Sequence, residues 1–254
     1  MSSVSRPVVR VLQVLEALEG GRTVSVAELS QRTRIPRSTL YALVRTLRTE
    51  GYVIGDIRDG IKLSMKMFVV GSSCIPADLR ALCRPVLERA VAFTGETCHL
   101  AILDPGDATV VYLDKVDGTR SIRMGSRIGL RNPAYCTGLG KALLGAAPKE
   151  FVESYIRDAE LKAFTAYTIT DSDVLRYELS HVSVTGMAFD REEHEDGVRC
   201  VAVPSRSLDG GWCAISIAGP AARLTDDVLE QYGNKLKELV TEIVDGPVTA
   251  LRAT

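Results

Sequence analysis

No stretch of the 254-residue chain reaches 18 consecutive apolar residues, which excludes a helical membrane span of ordinary length. The N-terminus, MSSVSRPVVR, has no apolar core followed by a small-residue cleavage site, so it does not read as a secretory leader and a cytoplasmic protein is expected. The six cysteines, at positions 74, 83, 98, 136, 200 and 213, form no CxxC pair. Scattered cysteines of this kind are expected to be reduced, buried small hydrophobes, and a zinc site combining them with His99, His181 or His194 lacks ligand spacing. The run GLGKALLG lacks two residues of a phosphate loop, which needs glycine at Tyr135 and Ser or Thr at Ala142. Cys136 with His99 or His194 lacks the flanking motif of a reactive thiol. No catalytic residue, metal or cofactor is therefore expected.

What is present is ordinary in bulk and uneven in distribution. Hydrophobic residues at 46 % and charged residues at 25 % suit a folded protein, and the length allows a small domain plus one of ordinary size. The net charge of −1 divides unevenly: Met1 to Lys66 carries eleven Lys and Arg against six Asp and Glu, the remainder 20 against 26. A basic head on an acidic body fits a nucleic-acid-binding unit joined to one of another kind, because phosphate neutralisation supplies most sequence-independent affinity.

The head centres on Val26 to Ser64, VAELSQRTRIPRSTLYALVRTLRTEGYVIGDIRDGIKLS. Ser25 is placed as an N-cap and Glu28, three residues on, completes a capping box for a short helix with Val26, Ala27, Leu29 and Ser30 on one face. Ile35 before Pro36 is pushed away from helical dihedrals, so Thr33 to Ile35 is a turn and a second helix begins near Pro36. In that helix Leu40, Leu43, Val44 and Leu47 form one buried stripe. The opposite face carries Ser38, Tyr41, Arg45 and Arg48, with Arg37 and Thr39 in the first turn, a chemistry suited to base edges and phosphates in a major groove. Tyr52 to Asp56 reads as a strand, Ile57 to Gly60 as a turn and Ile61 to Ser64 as a returning strand. With Arg58 and Lys62 this hairpin is a basic wing, and the whole is a winged helix-turn-helix. Before it, Val8, Val11, Leu12, Leu15 and Leu18 form a helical stripe that ends at Gly20 and Gly21.

Met65 to Cys74 is an apolar connecting stretch, and its composition points to contact with a second chain. Proline breaks the helical pattern near Ile75 and Pro76, where the domain boundary is placed. Ala77 to Thr94 reads as a helix with Leu79, Leu82, Val86, Leu87 and Ala90 inward. The period then changes: Thr97 to Leu103, Thr109 to Val116 and Ser121 to Met124 read as strands, followed by a loop with Gly125, Gly129 and Pro133. Helices are expected at Gly138 to Ala146, Lys149 to Arg157 and Asp171 to Val184. Strands follow at Gly186 to Phe189, Val198 to Pro204 and Trp212 to Ala218, and a helix closes at Thr225 to Val244. This is a mixed α/β chain: a mainly α winged helix-turn-helix, then an α+β domain with an antiparallel sheet backed by helices.

Over nearly its whole length the chain resembles the IclR-type transcriptional regulators. The likeness lies in the winged helix-turn-helix, in AYCTGLGKALLG from Ala134 to Gly145, in GMAFDREEHEDGVRCVAVP from Gly186 to Pro204, and in AISIAGPAARLTDD from Ala214 to Asp227. The resemblance implies a DNA-binding domain over 1–75, including the start of a linker, and a GAF-like effector-binding and oligomerisation domain over 76–254. It also implies dimers or tetramers on double-stranded operator DNA. On it rest Gly138, Leu139, Asp190, Cys200 and Ser216 as effector-binding residues for a small carboxylic or aromatic acid. A second serine often found two residues after Ser216 is Ala218 here, so the pocket loses a hydroxyl. The residues agree in part: Gly138 and Gly140 before a helix let backbone N–H groups approach an anion, whereas Lys141 reads as an anion partner or a structural charge. Asp190, Glu192, Glu193, Glu195 and Asp196 read as a solvated acidic loop rather than a metal site, with Asp190 a candidate to hydrogen-bond a ligand hydroxyl or to be protonated on binding.

The expected function is a DNA-binding transcriptional regulator, a repressor on the resemblance, controlled by a small organic acid. Arg37, Ser38, Thr39, Tyr41 and Arg45 would read bases while Arg58 and Lys62 anchor phosphates. The alternative is an effector-independent DNA-binding protein whose second domain only oligomerises.

Overall fold

The structure, a computed structural model, describes residues 4–71, 77–104, 106–121, 124–206 and 211–245. The chain divides into two compact units, Met1–Ile75 and Pro76–Thr254. Ile75 and Pro76, expected at the junction, lie outside the described residues, as does Cys74. Among the described residues no helix is long and apolar enough to cross a membrane.

The first unit contains α1 (Arg6–Ala17), α2 (Val26–Thr33), α3 (Arg37–Thr49), β1 (Val53–Asp56), β2 (Gly60–Leu63) and α4 (Met65–Gly71). Its core joins Val14, Leu18, Val26, Leu29, Leu40, Val44, Leu47, Val53 and Ile61. The cap of α2 is half the expected box. The Glu28 N–H donates to Ser25 Oγ at 3.2 Å, but the Glu28 carboxylate turns to Arg22 and Arg32 instead of back to Ser25. Arg34, at φ 57°, ends α2 in the left-handed region, and Pro36 is the N-cap residue of α3. One expectation for α1 fails. Val8 and Leu12 are exposed at 56 % and 51 %, while Val14 is buried, so the inward stripe is rotated toward Val14 and Leu18. On α4, Met65, Phe68, Val69 and Val70 are all exposed.

The second unit holds α5 (Ala77–Thr94), β3 (Thr97–Leu103), β4 (Thr109–Val116), β5 (Arg131–Pro133), α6 (Gly138–Ala146), α7 (Lys149–Asp158) and α8 (Ser172–Thr185). It continues with β6 (Ala188–Arg191), β7 (Val198–Arg206), β8 (Trp212–Pro220), α9 (Asp226–Val240) and a π-helical turn, Thr241–Asp245. The strands form one antiparallel sheet in the order β5-β4-β3-β8-β7-β6. Helices α5 and α9 pack together and against one face, and α6, backed by α8, packs on the other. This is an α+β unit with a helix-backed antiparallel sheet.

Two strand expectations are corrected. Ser121 is a bend and Met124 is outside any strand, with 122 and 123 outside the described residues; the strand that extends the sheet beyond β4 is β5, which takes Pro133 out of its expected loop. Proline is accommodated there because β5 is an edge strand. The expected strand at Gly186 begins at Ala188, because Gly186 adopts φ 67° to cap α8.

Helix α6 positions the cavity. Thr137 Oγ1 accepts the Gly140 N–H at 3.1 Å and donates to the Pro133 carbonyl at 3.1 Å. Every residue from Gly138 to Leu144 is buried. So close a helix–turn approach requires glycine: a Cβ on Gly140 would lie 2.2 Å from the Ala134 carbonyl oxygen.

Candidate functional site

Two places carry the residues singled out in the sequence. The first is the face of α3. Burial of Leu40, Val44 and Leu47 turns Arg37, Ser38, Tyr41 and Arg45 to solvent, with Thr39 half-buried beside them. Arg48, on the same face, reaches Asp56 of β1 at 3.5 Å, and this ion pair links the helix to the wing. Arg58, in the turn between β1 and β2, and Lys62 on β2 are exposed. The hairpin is fastened to the core through Val24, whose N–H and carbonyl exchange hydrogen bonds with Ile61 at 2.8 and 2.9 Å. The turn before α3 is braced by side chains: Ser30 Oγ donates to the Ile35 carbonyl at 2.8 Å and Thr33 Oγ1 to that of Leu29 at 2.7 Å. These bonds fix the turn that sets the direction of α3 relative to α2.

The second place is a cavity of about 310 Å³ in the second unit, lined by Gly138, Leu139, Asp190, Cys200 and Ser216 together with Ala218. All five nominated residues are therefore brought together. Sheet pleating explains the convergence. Asp190 pairs with Cys200 across β6 and β7, Cys200 pairs with Ala218 across β7 and β8, and alternate residues on each strand share the α6 face. A Cβ on Gly138 would lie 2.5 Å from Cys200 Sγ, so this glycine is what leaves the thiol room at the start of α6.

Sequence reasoning missed much of the lining: His99, Tyr112, Ser126, Asn132, Thr137 and His194 also face the cavity. The sequence offers His99 only as a metal ligand or a partner for a nucleophile. It stands opposite Ser216 in the β3–β8 register, with Ser126 Oγ 2.6 Å from Nε2 and Ser216 Oγ 3.4 Å from Nδ1. Burial, reinforced by the charge of Lys115, pushes its pKa down to about 3, so the imidazole is neutral and offers one donor and one acceptor. A bulge opposite Leu100/Ala101 shifts the β3–β4 register and brings Tyr112 and Lys115, three residues apart, to the same face. Lys115 does not line the cavity; its Nζ holds the adjoining loop by the Met124 and Ser126 carbonyls at 3.0 and 2.8 Å. The only early signal for this set was the alternation of Thr97, His99 and Ala101, which places the histidine on one face without saying what meets it.

Lys141 is a structural charge. It is fully buried, 2.5 Å from Glu193 Oε1 and 3.2 Å from Glu178 Oε1. The acidic segment also departs from expectation. Glu195 and Asp196 are solvated, but Asp190 and Glu193 are 5 % exposed. Burial, then the neighbouring Glu193, raises the Asp190 pKa to about 7, and burial raises that of Glu193. Cys136 is buried with its thiol pushed up to about 12, the reverse of what a thiolate nucleophile needs. Among the described residues no three His, Cys, Asp or Glu side chains are grouped to hold a metal ion.

A solvent-facing basic helix with a hairpin wing, joined in one chain to an α+β unit with an internal polar cavity, defines a two-domain DNA-binding regulator. The profile of the IclR helix-turn-helix domain matches residues 7–56, and that of the bacterial transcriptional regulator IclR C-terminal domain matches residues 73–245. The chain is 32 % identical over 239 residues to the transcriptional repressor IclR of Escherichia coli, covering 92 % of this chain and 87 % of that protein. The crystal structure of Thermotoga maritima IclR superposes with a TM-score of 0.74 at 32 % identity, over 93 % of this chain and 96 % of that one. An IclR homologue from Microbacterium hydrocarbonoxydans, crystallised with 4-hydroxybenzoate, shares the fold with a TM-score of 0.74 at 23 % identity, over 93 % and 99 % of the two chains. The chain belongs to the IclR family of DNA-binding transcriptional regulators.

Proposed function

We propose that the protein is an effector-controlled repressor that binds double-stranded operator DNA through residues 1–75 and a small carboxylic or aromatic acid through residues 76–254. The observation that carries this reading is the convergence of Gly138, Leu139, Asp190, Cys200 and Ser216 on one cavity of about 310 Å³, within the usual size range of small-ligand sites. Arg37, Ser38, Thr39, Tyr41 and Arg45 read bases, and Arg58 and Lys62 hold phosphates. The sign of regulation rests on the likeness to the repressor of Escherichia coli, and the class of effector on the acid crystallised with the Microbacterium homologue. The protein acts in the cytoplasm as a homodimer or tetramer, a state supported by the apolar residues exposed on α1 and α4, since paired recognition helices match a two-fold operator. Effector binding shifts the population between DNA-compatible and incompatible arrangements.

The test is a titration of operator-region DNA at fixed salt, with and without 4-hydroxybenzoate and a panel of small aliphatic and aromatic acids. An acid that changes operator affinity and raises the melting temperature supports the reading. Tight DNA binding that no acid alters would favour a second domain that only oligomerises.

A further inference from the structure

The cavity and the core behind it hold more acid than base. Lys141 is buried on α6, its ammonium engaged by Glu193 and Glu178. Glu193 Oε2 is the one buried side-chain oxygen or nitrogen among the described residues that lacks a hydrogen-bond partner. Asp190 is a third carboxylate in this group, 5 % exposed, with its Oδ1 accepting the Glu193 N–H at 2.8 Å. Among the described residues no lysine or arginine lines the cavity. One ammonium already shared by two carboxylates has no capacity left to neutralise Asp190 as well as an incoming anion.

We propose that the cavity takes its acid as an anion together with one proton, the ligand carboxylate docking against a protonated Asp190 that donates to it. This inference rests on the effector-pocket reading above and specifies the chemistry of that site. The proton comes from solvent and resides on an Asp190 oxygen; the new bond is a carboxyl–carboxylate hydrogen bond, of the short charge-assisted kind, and nothing is oxidised or transferred. The ligand class that follows is a monocarboxylate, since a dianion would bring a second full charge and no described lysine or arginine lines the cavity to meet it.

The surroundings of Asp190 support this from every side. Cys200 faces it across β6 and β7, Tyr112 from β4 and Cys136 from the turn before α6, and Lys141 from α6 itself. Glu193, His194 and Glu195 follow it in the turn after β6, and His99 stands across the cavity. Of these only Lys141 supplies positive charge, because burial depresses the basicity of both His99 and His194. Arg191 and Arg199 sit on the other face of the same strands and are held by Asp226 at 2.8 Å and Glu192 at 3.2 Å. The Asp190 carboxyl, which titrates near 7, is thus already poised to hold the proton.

The experiment is calorimetric titration of the full-length protein with 4-hydroxybenzoate at pH 6, 7 and 8, in buffers of differing ionisation enthalpy. Uptake approaching one proton per ligand at pH 8 is expected. Affinity should be about tenfold weaker at pH 8 than at pH 6, because only the protonated fraction is competent to bind. The uncharged analogue 4-hydroxybenzamide should bind without proton uptake, and Asp190→Asn should make the affinity for the acid flat across this range. Binding of the acid with no proton uptake overturns the inference while leaving the effector reading intact. If neither this acid nor the panel binds, the effector reading fails, and potentiometric titration of ligand-free wild type against Asp190→Asn decides the proton site. A one-proton difference centred near neutrality supports it; no difference overturns it.

Discussion

The two units place their chemically active residues on opposite sides of their cores. In the first, a small apolar core of Val14, Leu29, Leu40 and Val44 turns Arg37, Ser38, Tyr41 and Arg45 outward to solvent, where a partner as large as DNA is met at the surface. In the second, the polar groups point inward, to a cavity lined by His99, Ser216 and Asp190. Water moderates charges on the first surface, so their effect is additive and sensitive to salt. In the second, burial sets protonation states: His99 is held neutral and Asp190 is moved into the physiological range. Charged side chains therefore act as point charges in one unit, and buried polar ones as fixed hydrogen-bonding groups in the other.

That contrast is broken most severely at Gly140. A Cβ there would lie 2.2 Å from backbone oxygen and 2.3 Å from the Cα of Ala134, neither of which is the movable end of a side chain. Gly140→Ala is expected to cost about 3 kcal/mol or more of stability, read as an early denaturant transition of the second unit while operator binding by the first is lost only where that unit unfolds. Wild-type stability would show that the α6 approach is looser than it looks. Next in size is Asp190→Asn, whose effect depends on pH. The folded-state pKa lies near 7, well above the unfolded value for Asp. The folded state thus holds a proton that the unfolded state releases, and wild-type stability falls as pH rises from about 4 to 7. The asparagine removes that loss and is expected to be more stable than wild type by up to about 4 kcal/mol at pH 8, with little difference near pH 3. Parallel stability curves for the two proteins would sink the claim that burial, not hydrogen bonding, governs this carboxyl.

Legibility in the sequence follows the same division. Helices α3, α5 and α6 and strands β3 and β4 were readable to within a residue because each is a run of suitable residues bounded by a local stop, such as Pro36 before α3 or the DPGD sequence between β3 and β4. The solvent face of α3 was readable because the stripe of Leu40, Val44 and Leu47 dictates what lies opposite. The cavity was only half readable. Gly138, Leu139, Asp190, Cys200 and Ser216 came through likeness to a family, whereas Tyr112 and His99 depend on a bulge and a cross-strand register, which are not local properties of either strand. β5 went unread because three residues ending in proline show no alternation, and the burial of Glu193 was unreadable because its partner, Lys141, lies 52 residues away.

The finest test of the contrast lies within the surface itself, between Arg45 and Lys62. Arg45 sits on the exposed face of α3, one turn after Tyr41, and Lys62 on the outward side of β2. If Arg45 reads a base edge, Arg45→Ala should weaken operator binding by about 1–3 kcal/mol and relax preference at one base position, with unrelated DNA affected less. Lys62 on a phosphate should behave otherwise. Lys62→Ala should weaken specific and non-specific DNA about equally and reduce the slope of log affinity against log salt by about 1. Neither change should alter binding of 4-hydroxybenzoate measured without DNA, because neither residue belongs to the unit that holds the cavity. Binding isotherms at three salt concentrations, on operator and scrambled DNA, separate the two roles. An Arg45→Ala protein that loses affinity for both DNAs alike would make that arginine a phosphate anchor and move base reading toward Arg37, Ser38 and Thr39 at the start of the helix.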